Sequence, residues 1–334
     1  MSEDGRAFAV GVQLYSPKLT QPGWHTSRFL HVRVFEYSRG YWNQLGDDID
    51  GKVTDGQDDF GPRVAMSEDG STIVVGGSLT RFSTGHVRVF EYVSGIWNQL
   101  GDTIYGEAAF DAFGSSVAIS KDEKTIVGGY LQYGPHIRDS GHARVFEYSS
   151  GSWNQLGGVI DGNAAGDMFG ASVSMSGDGR TIIAAAIQDS WDGAGTGIGY
   201  ARVFEYSSGS WNQVGNAIVG EGSNDVFGTS VAMSEDGRTI VAGALKKGDG
   251  DNAGQVRVFT RPTDIEVEER PTNIEVGESS GFVGARTVGV LILVEGAAYF
   301  LWKRTLKPRT KTDHGSTELV PISLAVPVDG HGID

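Results

Sequence analysis

The sequence predicts an all-β protein, a β-propeller built from repeated four-stranded blades. Three short motifs recur in a fixed order along residues 1–260, and no part of this region has helical periodicity. Asp-x-Phe-Gly begins at Asp58, Asp111, Asp167 and Asp225. Arg-Val-Phe begins at Arg33, Arg88, Arg144, Arg202 and Arg257. Trp-Asn-Gln begins, at spacings of 55, 56 and 58 residues, at Trp42, Trp97, Trp153 and Trp211.

The sequence of each repeat unit predicts four short antiparallel strands. In the fullest copy these strands cover residues 169–176, 181–186, 200–206 and 211–215. The first two flank GDGR, whose Asp-Gly pair supplies the positive φ of a tight hairpin. The last two flank SSGS, and symmetric closure places Tyr206 opposite Trp211. Four antiparallel strands per unit fit a propeller blade better than a solenoid coil. The Phe of Asp-x-Phe-Gly and the Val and Ile of the strands are expected to pack between blades.

The unit that starts at Phe227-Gly228 continues with Ser-Val-Ala at Ser230, Val-Ala-Gly-Ala at Val241 and Gly-x-Val-Arg-Val-Phe at Gly254. These residues resemble the FG-GAP repeats of integrin α-subunit propellers, and the resemblance covers residues 1–260. It implies a β-propeller, of seven blades in that family, with calcium loops in the first hairpin. Here that connection is only Glu-Asp-Gly or Gly-Asp-Gly, too short to supply the roughly six to eight oxygen ligands of calcium. We therefore carry over the fold and not these metal sites.

The first residue occupies an internal position of the repeat. Met1 aligns with Met66, Met175 and Met233, each at the end of the first strand of a unit. A later segment could supply the missing strand, but none repeats Phe-Gly-x-Ser-Val-Ala, which favours N-terminal truncation. Truncation would also remove a signal peptide, and the sequence contains none. Five units are visible, the fifth without a Trp-Asn-Gln strand, and the blade number stays open.

Residues 261–280 predict an acidic stalk, because the echoed segments PTDIEV and PTNIEV place prolines among dense acidic residues. The first copy could instead pair as a last strand with the fifth unit. Residues 281–302 predict a membrane-spanning helix, since their length suffices for a hydrocarbon core of about 30 Å. Glu295 opposes insertion, at a cost of about 2.5–3.5 kcal/mol near the helix centre. A buried helix or strand packed on the propeller is the alternative.

The charges around this segment predict its orientation. An acidic stalk precedes it, whereas the juxtamembrane segment and tail, 303–334, begin with a cluster of basic residues. Tyr299 and Trp302 suit the membrane interface. We expect a single-pass protein with the propeller outside, the C-terminus in the cytoplasm and a disordered tail.

Composition excludes several kinds of chemistry. A net charge of −15, from 42 acidic and 27 basic residues, opposes nucleic-acid binding. The absence of cysteine removes disulfides, thiolate nucleophiles and cysteine-ligated zinc. Polar residues that repeat in every unit are expected to be structural, so no catalytic residue is predicted. In this interpretation the motif Asp caps a turn, and His31, His86 and His142 mark one repeat position. The motif Arg stacks on aromatic rings or pairs with Glu36, Glu91, Glu147 and Glu205.

Recognition is predicted in the connection between the second and third strands of each unit. These loops differ in length and sequence and carry Trp24, Tyr133 and Trp191 as candidate ligand-binding residues. Loops that vary on a uniform scaffold commonly hold the binding function.

The fifth of these loops contains a second candidate. Asp249, Asp251 and Asn252 offer oxygen ligands at a spacing compatible with calcium, against the simpler interpretation of a solvated turn. No other cofactor is expected. Together the features predict a membrane-anchored binding or adhesion module for a protein or carbohydrate ligand. The alternatives are a soluble intracellular interaction propeller and, less favoured, a propeller enzyme acting on glycans.

Overall fold

The computed structural model describes the chain except residues 3, 15–28, 52–59, 78–83, 109–110, 131–139, 189–196, 224, 246–253, 262–271, 275–285, 295–296 and 306–334. Within the described residues every regular element is a β-strand. The first 22 described strands form five antiparallel sheets, which confirms the predicted all-β class.

We number the sheets as blades 1 to 5 in chain order. Blade 1 contains β1 (Ala7–Leu14), β2 (Phe29–Ser38), β3 (Tyr41–Gln44) and β4 (Ile49–Asp50). Blade 2 contains β5 (Phe60–Met66), β6 (Thr72–Gly77), β7 (His86–Val93), β8 (Ile96–Gln99) and β9 (Ile104–Tyr105). Blade 3 contains β10 (Ser116–Ile119), β11 (Thr125–Gly129), β12 (His142–Ser149), β13 (Ser152–Gln155) and β14 (Ile160–Asp161). Blade 4 contains β15 (Phe169–Met175), β16 (Thr181–Ala186), β17 (Tyr200–Ser207) and β18 (Ser210–Val219). Blade 5 contains β19 (Ser230–Met233), β20 (Thr239–Ala244), β21 (Gln255–Thr260) and β22 (Thr272–Ile274).

Blades 2 to 5 have four strand positions, as predicted, and the outermost position of blades 1 to 4 is interrupted or shifted in register. In blade 2, β8 pairs with the C-terminal half of β7 and β9 with the N-terminal end. In blade 4 one strand, β18, covers both halves with a register shift opposite Ala201 and Val203. Blade 1 starts at the second position. Its first turn carries the same hydrogen bond as the others, from Ala7 N–H to Ser2 Oγ at 2.8 Å.

The antiparallel order gives each blade two distinct ends. Turns from the first to the second strand, and from the third to the fourth, lie at one end, which we call the turn face. Connections from the second to the third strand, and from one blade to the next, lie at the other end, the loop face. The innermost strands β5, β10, β15 and β19 are neighbours in that order, so the first turns of successive blades lie close together.

The core lies between the blades, and the Phe of Asp-x-Phe-Gly is its largest component. Phe113 is fully buried among Val74 and Val89 of blade 2 and Ile126 and Phe146 of blade 3. The next two interfaces have the same composition around buried Phe169 and Phe227. The predicted packing of blade against blade is therefore confirmed at these positions.

The Trp-Asn-Gln motif also joins neighbouring blades. The Trp97 indole N–H donates to the Leu45 carbonyl of the preceding blade at 2.7 Å, and Trp153 and Trp211 repeat this bond with Leu100 and Leu156. Gly46 has a φ of +73°, and a Cβ there would lie 2.9 Å from the Trp97 ring. Gly46, two residues after the Trp-Asn-Gln motif of blade 1, therefore leaves room for the tryptophan of the next blade to pack against the backbone. The predicted pairing of Tyr206 with Trp211 is confirmed, with ring centroids 5.2 Å apart.

Two strand segments lie in the region predicted as stalk and membrane helix. β22 comes from the second echoed segment, PTNIEV, rather than from the first, and it pairs with Val256–Val258. Ile274 thereby takes the position that Ile49, Ile104, Ile160 and Ile218 hold in the other blades. Further on, β23 (Arg286–Val294) and β24 (Ala297–Thr305) pair as an antiparallel hairpin. The many β-branched and aromatic residues on both sides of Glu295-Gly296 favour this arrangement.

The hairpin occupies most of segment 281–302, so the structure places strands where the sequence predicts a membrane helix. Of the residues described, none belongs to a helix long and apolar enough to cross a bilayer.

Candidate ligand-binding face

The predicted ligand-binding residues belong to connections at the loop face. Trp24, Tyr133 and Trp191, and the calcium candidates Asp249, Asp251 and Asn252, all lie outside the described residues. The structure does describe the residues that hold the two ends of these connections. We therefore build the candidate site from its base.

Each connection ends on a residue that is bonded to the following blade. The carbonyls of Thr84, Ser140 and Ile198 accept the backbone N–H of the next motif phenylalanine at 3.0, 2.9 and 3.1 Å. Directly after Ser140, Gly141 has a φ of +70°, and a Cβ there would lie 2.4 Å from the Phe169 nitrogen. Only glycine fits such a position. Gly85 and Gly199 have the same role in blades 2 and 4.

The repeated aspartate caps the turn that leads into each blade. The Asp167 Oδ2 atom accepts the backbone N–H groups of Asn163 and Ala164, both at 2.9 Å. Asp111 and Asp225 accept the equivalent pairs of N–H groups. The predicted capping role is confirmed for these three carboxylates, while Asp58 lies outside the described residues.

In blade 4 the same carboxylate also fastens both ends of the variable connection. Tyr200 Oη, at the start of the third strand, donates to Asp167 Oδ2 at 2.6 Å. Gln188 Nε2, just after the second strand, donates to Asp167 Oδ1 at 3.0 Å. The Gln188 carbonyl accepts the Gly197 N–H at 3.0 Å, which joins the two ends of the loop directly. Burial, aided by the Asp167 hydrogen bond, raises the pKa of Tyr200, so its phenol stays protonated and can donate.

Blade 3 has a different base at the same place. The Tyr130 and His142 rings stack with centroids 3.4 Å apart. Tyr130 Oη accepts a hydrogen bond from Arg144 at 2.9 Å. Burial raises the pKa of Tyr130 to about 12. Loop bases in adjacent blades thus use different side chains on an identical backbone.

The arginine of Arg-Val-Phe ties each blade to the one before it. Arg144 donates to the Tyr105 carbonyl at 3.3 Å and lies 4.8 Å from the centre of the Phe146 ring. Arg88, Arg202 and Arg257 bond the preceding blade and stack on phenylalanine in the same way. The predicted stacking is confirmed for these four arginines, whereas Arg33 donates to Asp48 of its own blade at 2.9 and 2.8 Å. The alternative pairing with strand glutamates is wrong for blades 3 and 4, because Glu147 pairs with Arg180 and Glu205 with Arg261.

The turn face presents a separate, acidic hollow. Lys121 lies 2.5 Å from Glu68 and 3.3 Å from Glu235, and so links the first turns of three blades. Lys121 and Glu68, together with Asp4, Asp69 and Glu123, border an open pocket of about 410 Å³. Among the described residues, no three His, Asp or Glu side chains are grouped so that they could hold a metal ion.

Comparison of structures finds several solved proteins that resemble this chain at low sequence identity. The β-propeller domain of the Trilobed protease from Pyrococcus furiosus is 9% identical with a TM-score of 0.47, over 91% of this chain and 81% of that one. The Dos1 propeller is 16% identical with a TM-score of 0.41, over 70% of this chain and 52% of that one. An acylaminoacyl peptidase is 9% identical with a TM-score of 0.48, over 90% and 43% respectively. These similarities concern the fold alone.

Comparison of sequences identifies the repeat. The family model described as FG-GAP repeat matches residues 211–259, which run from the outer strand of blade 4 to the third strand of blade 5. The chain therefore carries an FG-GAP repeat at residues 211–259, within a series of five antiparallel sheets that have the arrangement of propeller blades. No curated protein matches the chain significantly in sequence.

Sequence reasoning missed the groups that form the loop bases. Gln188, Tyr130 and Tyr200 have no counterpart at their positions in most units, so no repeat pattern marked them. A signal existed for the backbone anchor, because a glycine precedes the third strand in four units, at Gly85, Gly141, Gly199 and Gly254.

Proposed function

We propose that this chain is a binding module that holds a protein or carbohydrate ligand on its loop face. The observation that carries the proposal is that the ends of the loops are held alike, while the residues within the loops differ. Backbone bonds fix the end of the connection in blades 2, 3 and 4, whereas the residues in between differ in every blade. A uniform frame with variable inserts is the arrangement in which other scaffolds present recognition loops.

Fixed loop ends favour tight binding for an entropic reason. A loop whose ends are already ordered loses less conformational freedom when it closes on a ligand. In blade 4, Gln188 and Asp167 tie both ends together below the loop that contains Trp191. Aromatic side chains such as Trp191, Trp24 and Tyr133 offer flat apolar surface with a polar edge, which suits both sugar rings and protein hot spots.

The experiment compares two sets of aromatic and aliphatic side chains on the same protein. In the loop-face variant, Trp24, Tyr133 and Trp191 are changed together to Ser. In the matched control, Tyr41 and Ile96 at the turn face, which are 74% and 61% exposed, are changed to Ser. The wild type and both variants are applied to a glycan array and to an array of secreted-protein ectodomains.

We expect the loop-face variant to lose about tenfold or more in affinity for whatever the wild type binds, and the control to be unchanged. Equal loss in both variants, or no binding to either array, contradicts the proposal. Repeating the measurement with a chelator tests Asp249, Asp251 and Asn252, since a calcium site in that loop would make binding depend on the ion.

We further propose that residues 281–302 attach the module to a membrane, with the propeller outside and the C-terminus in the cytoplasm. The support is the apolar length of the segment and the basic cluster that follows it. The hairpin β23–β24 is the competing arrangement of the same residues.

Membrane attachment can be tested in cells with the full chain fused to an export signal and a C-terminal tag. We expect the protein to resist alkaline carbonate, and external protease to digest the propeller and spare the tag. Glu295→Leu should increase membrane retention, and Glu295→Asp is the matched control. Complete extraction by carbonate would show that no span exists.

A further inference from the structure

We infer that Arg63, at the inner rim of the loop face, binds a carboxylate group of a protein ligand. By inner rim we mean the loop-face ends of the innermost strands, among which β5 and β10 are neighbours. The inference rests on the proposed function, to which it adds an anchoring residue and the class of ligand.

Arg63 lies close to the loop-face end of β5. Its backbone is opposite Gly76, one residue before β6 ends and the variable connection of blade 2 begins. The Arg63 Nε–H donates to the Ser115 carbonyl of blade 3 at 2.8 Å. The guanidinium is therefore fixed at the junction of two blades, next to the start of a connection that we propose to bind the ligand.

The other blades have serine at this position. Opposite Gly129, Ala185 and Gly243, which correspond to Gly76, lie Ser116, Ser172 and Ser230. Ser116 Oγ donates to the Gly170 carbonyl of the next blade at 2.7 Å. A serine hydroxyl thus makes the kind of contact between blades that Arg63 makes through Nε. The rest of the Arg63 side chain exceeds what the fold requires.

The outer nitrogens of Arg63 have no partner in the part of the chain that the structure describes. Nε makes its one hydrogen bond, while Nη1 and Nη2 have no acceptor there and form no ion pair. By contrast, Arg180 pairs with Glu147 and Arg261 with Glu205. Because the bond from Nε fixes the plane of the group, Nη1 and Nη2 form a prearranged fork that fits the two oxygens of a carboxylate.

The surroundings of Arg63 strengthen such a contact. The side chain is half-buried, so a bound carboxylate would be partly shielded from water, where a charged hydrogen bond is stronger. The net charge of −15 repels polyanions at longer range. These two properties favour a ligand that presents a single carboxylate over a chain rich in phosphate or sulfate.

The composition of the loop face favours a protein over a carbohydrate as the source of this carboxylate. Arginine joins Trp24, Tyr133 and Trp191, the ligand-binding residues predicted for this face. Trp, Tyr and Arg are the residue types that contribute most binding energy in protein interfaces. We therefore assign the fork of Arg63 to an aspartate or glutamate side chain of a protein ligand.

Chemical modification tests whether a carboxylate reaches the fork. Phenylglyoxal, which reacts with free guanidinium nitrogens, is applied to the full chain in a mild non-ionic detergent, and peptide mass spectrometry gives the rate at each arginine. We expect N-acetylglutamate α-amide to slow the modification of Arg63 by about twofold when half of the sites are occupied. Arg39, exposed at the turn face, is the control in the same sample and should react at an unchanged rate.

The neutral N-acetylglutamine α-amide, with sodium chloride added to the same ionic strength, is the matched control probe. An Arg63 rate that the glutamate probe leaves unchanged overturns the inference. Equal slowing by both probes also overturns it, because the effect would then not depend on the carboxylate. This measurement uses the wild type and needs no substitution.

The source of the carboxylate is tested on the glycan and ectodomain arrays with Arg63→Ser and Arg39→Ser. Both changes remove one positive charge and introduce the serine that other blades have at the same position, Ser116 for Arg63 and Ser94 for Arg39. We expect Arg63→Ser to lose about tenfold or more in affinity for the ectodomain that the wild type binds, and Arg39→Ser to be unchanged. Arg63→Lys keeps the charge without the fork and should also bind more weakly.

The outcomes separate this inference from the proposed function. If ectodomain binding is lost in the loop-face variant and kept in Arg63→Ser, the inference is wrong and the proposed function stands. Binding to acidic glycans alone would assign the carboxylate to a sugar and overturn the choice of a protein. If the wild type binds neither array, both the proposed function and the inference fail.

Discussion

The two faces of the propeller use their polar residues differently. At the turn face the blades repeat one device with little change: Ser67 Oγ donates to Asp69, and Asp69 accepts the Ser71 N–H. Ser120 with Asp122 and Ser176 with Asp178 form the same bonds. These aspartates bond within their own turn, and Lys121 and Glu123 connect the turns of different blades, so the polar groups of this face mainly hold the structure together.

At the loop face the bonds extend to other elements. Asp167 collects donors from the entry turn, from Tyr200 and from Gln188. The last residue of each connection, Thr84, Ser140 or Ile198, makes the same backbone bond in its blade. The residues just before it differ in sequence from blade to blade. The turn face therefore mainly maintains the fold. The loop face combines a conserved backbone at the loop ends with loop sequences that differ from blade to blade.

The largest effect should come from the frame below the loops. Phe169→Ala removes a fully buried ring between blades 3 and 4 and is expected to lower the free energy of unfolding by about 3–5 kcal/mol. Chemical denaturation followed by tryptophan fluorescence measures this. Val93→Ala, at a side chain 46% exposed near the turn face, is the control and should change it by less than about 0.5 kcal/mol. Similar losses in both variants would contradict the division between the faces.

The second prediction compares one chemical change at both faces. Asp167→Ala leaves Asn163, Ala164 and Tyr200 without their acceptor and should cost about 2–3 kcal/mol. Asp178→Ala removes only the contacts to Ser176 and Arg180 at an exposed turn and should cost about 1 kcal/mol. The thermal midpoint of unfolding is measured for both variants, and we expect the midpoint of Asp167→Ala to be the lower. If Asp178→Ala is the more damaging, the turn face contributes more to stability than we infer.

Much of the blade could be predicted from sequence because its signals are local and repeated. The strand positions, the capping by Asp111 and the pairing of Tyr206 with Trp211 all follow from spacing within one unit. Between units the sequence was less informative. The bond from Trp97 to Leu45 joins residues 52 positions apart, and nothing in either motif states that the next blade is the partner.

The outer strand of blade 5 shows a second limit. The sequence predicts a stalk for the segment PTNIEV because residues 261–280 combine two prolines with many acidic residues. Its isoleucine, however, occupies the fifth instance of a repeated strand position, with Ile274 opposite Val256. A single residue in a changed context is a weak sequence signal. Variation among the loops predicts the candidate ligand-binding residues. The bonds that hold the loop ends are not visible in the sequence, because Gln188 and Tyr200 reach Asp167 only in the folded blade.

Alkaline pH tests the buried base of the loop in blade 3. The pKa of Tyr130 is raised to about 12 by burial, against an ordinary value of 10.0. Between these values the unfolded chain loses the phenolic proton and the folded chain keeps it, so stability falls as pH rises. Tyr130→Phe should remove up to about 2 kcal/mol of that fall.

The measurement is urea denaturation at pH 9.5 and pH 11.5, compared as a difference so that the lost hydrogen bond to Arg144 cancels. Tyr105→Phe, at a side chain 63% exposed, is the control and should leave the difference unchanged. An unchanged pH dependence in Tyr130→Phe would mean that this loop base is more hydrated than the structure indicates.

The smallest effect concerns the one first turn that departs from the repeat. Glu123 has a φ of +63° at the place where Gly70, Gly179 and Gly237 stand in other blades. This conformation costs a residue with a side chain about 1 kcal/mol, but the carboxylate accepts hydrogen bonds from Ser71 at 2.9 Å and Thr72 at 2.7 Å of blade 2.

Glu123→Ala loses these bonds and keeps the backbone strain, whereas Glu123→Gly loses the bonds and relieves the strain. We therefore expect both variants to be less stable than the wild type, with the Gly variant more stable than the Ala variant by about 1 kcal/mol in urea denaturation. If the Ala variant is the more stable of the two, backbone strain does not distinguish this turn, and Glu123 contributes only through its bonds to the neighbouring blade.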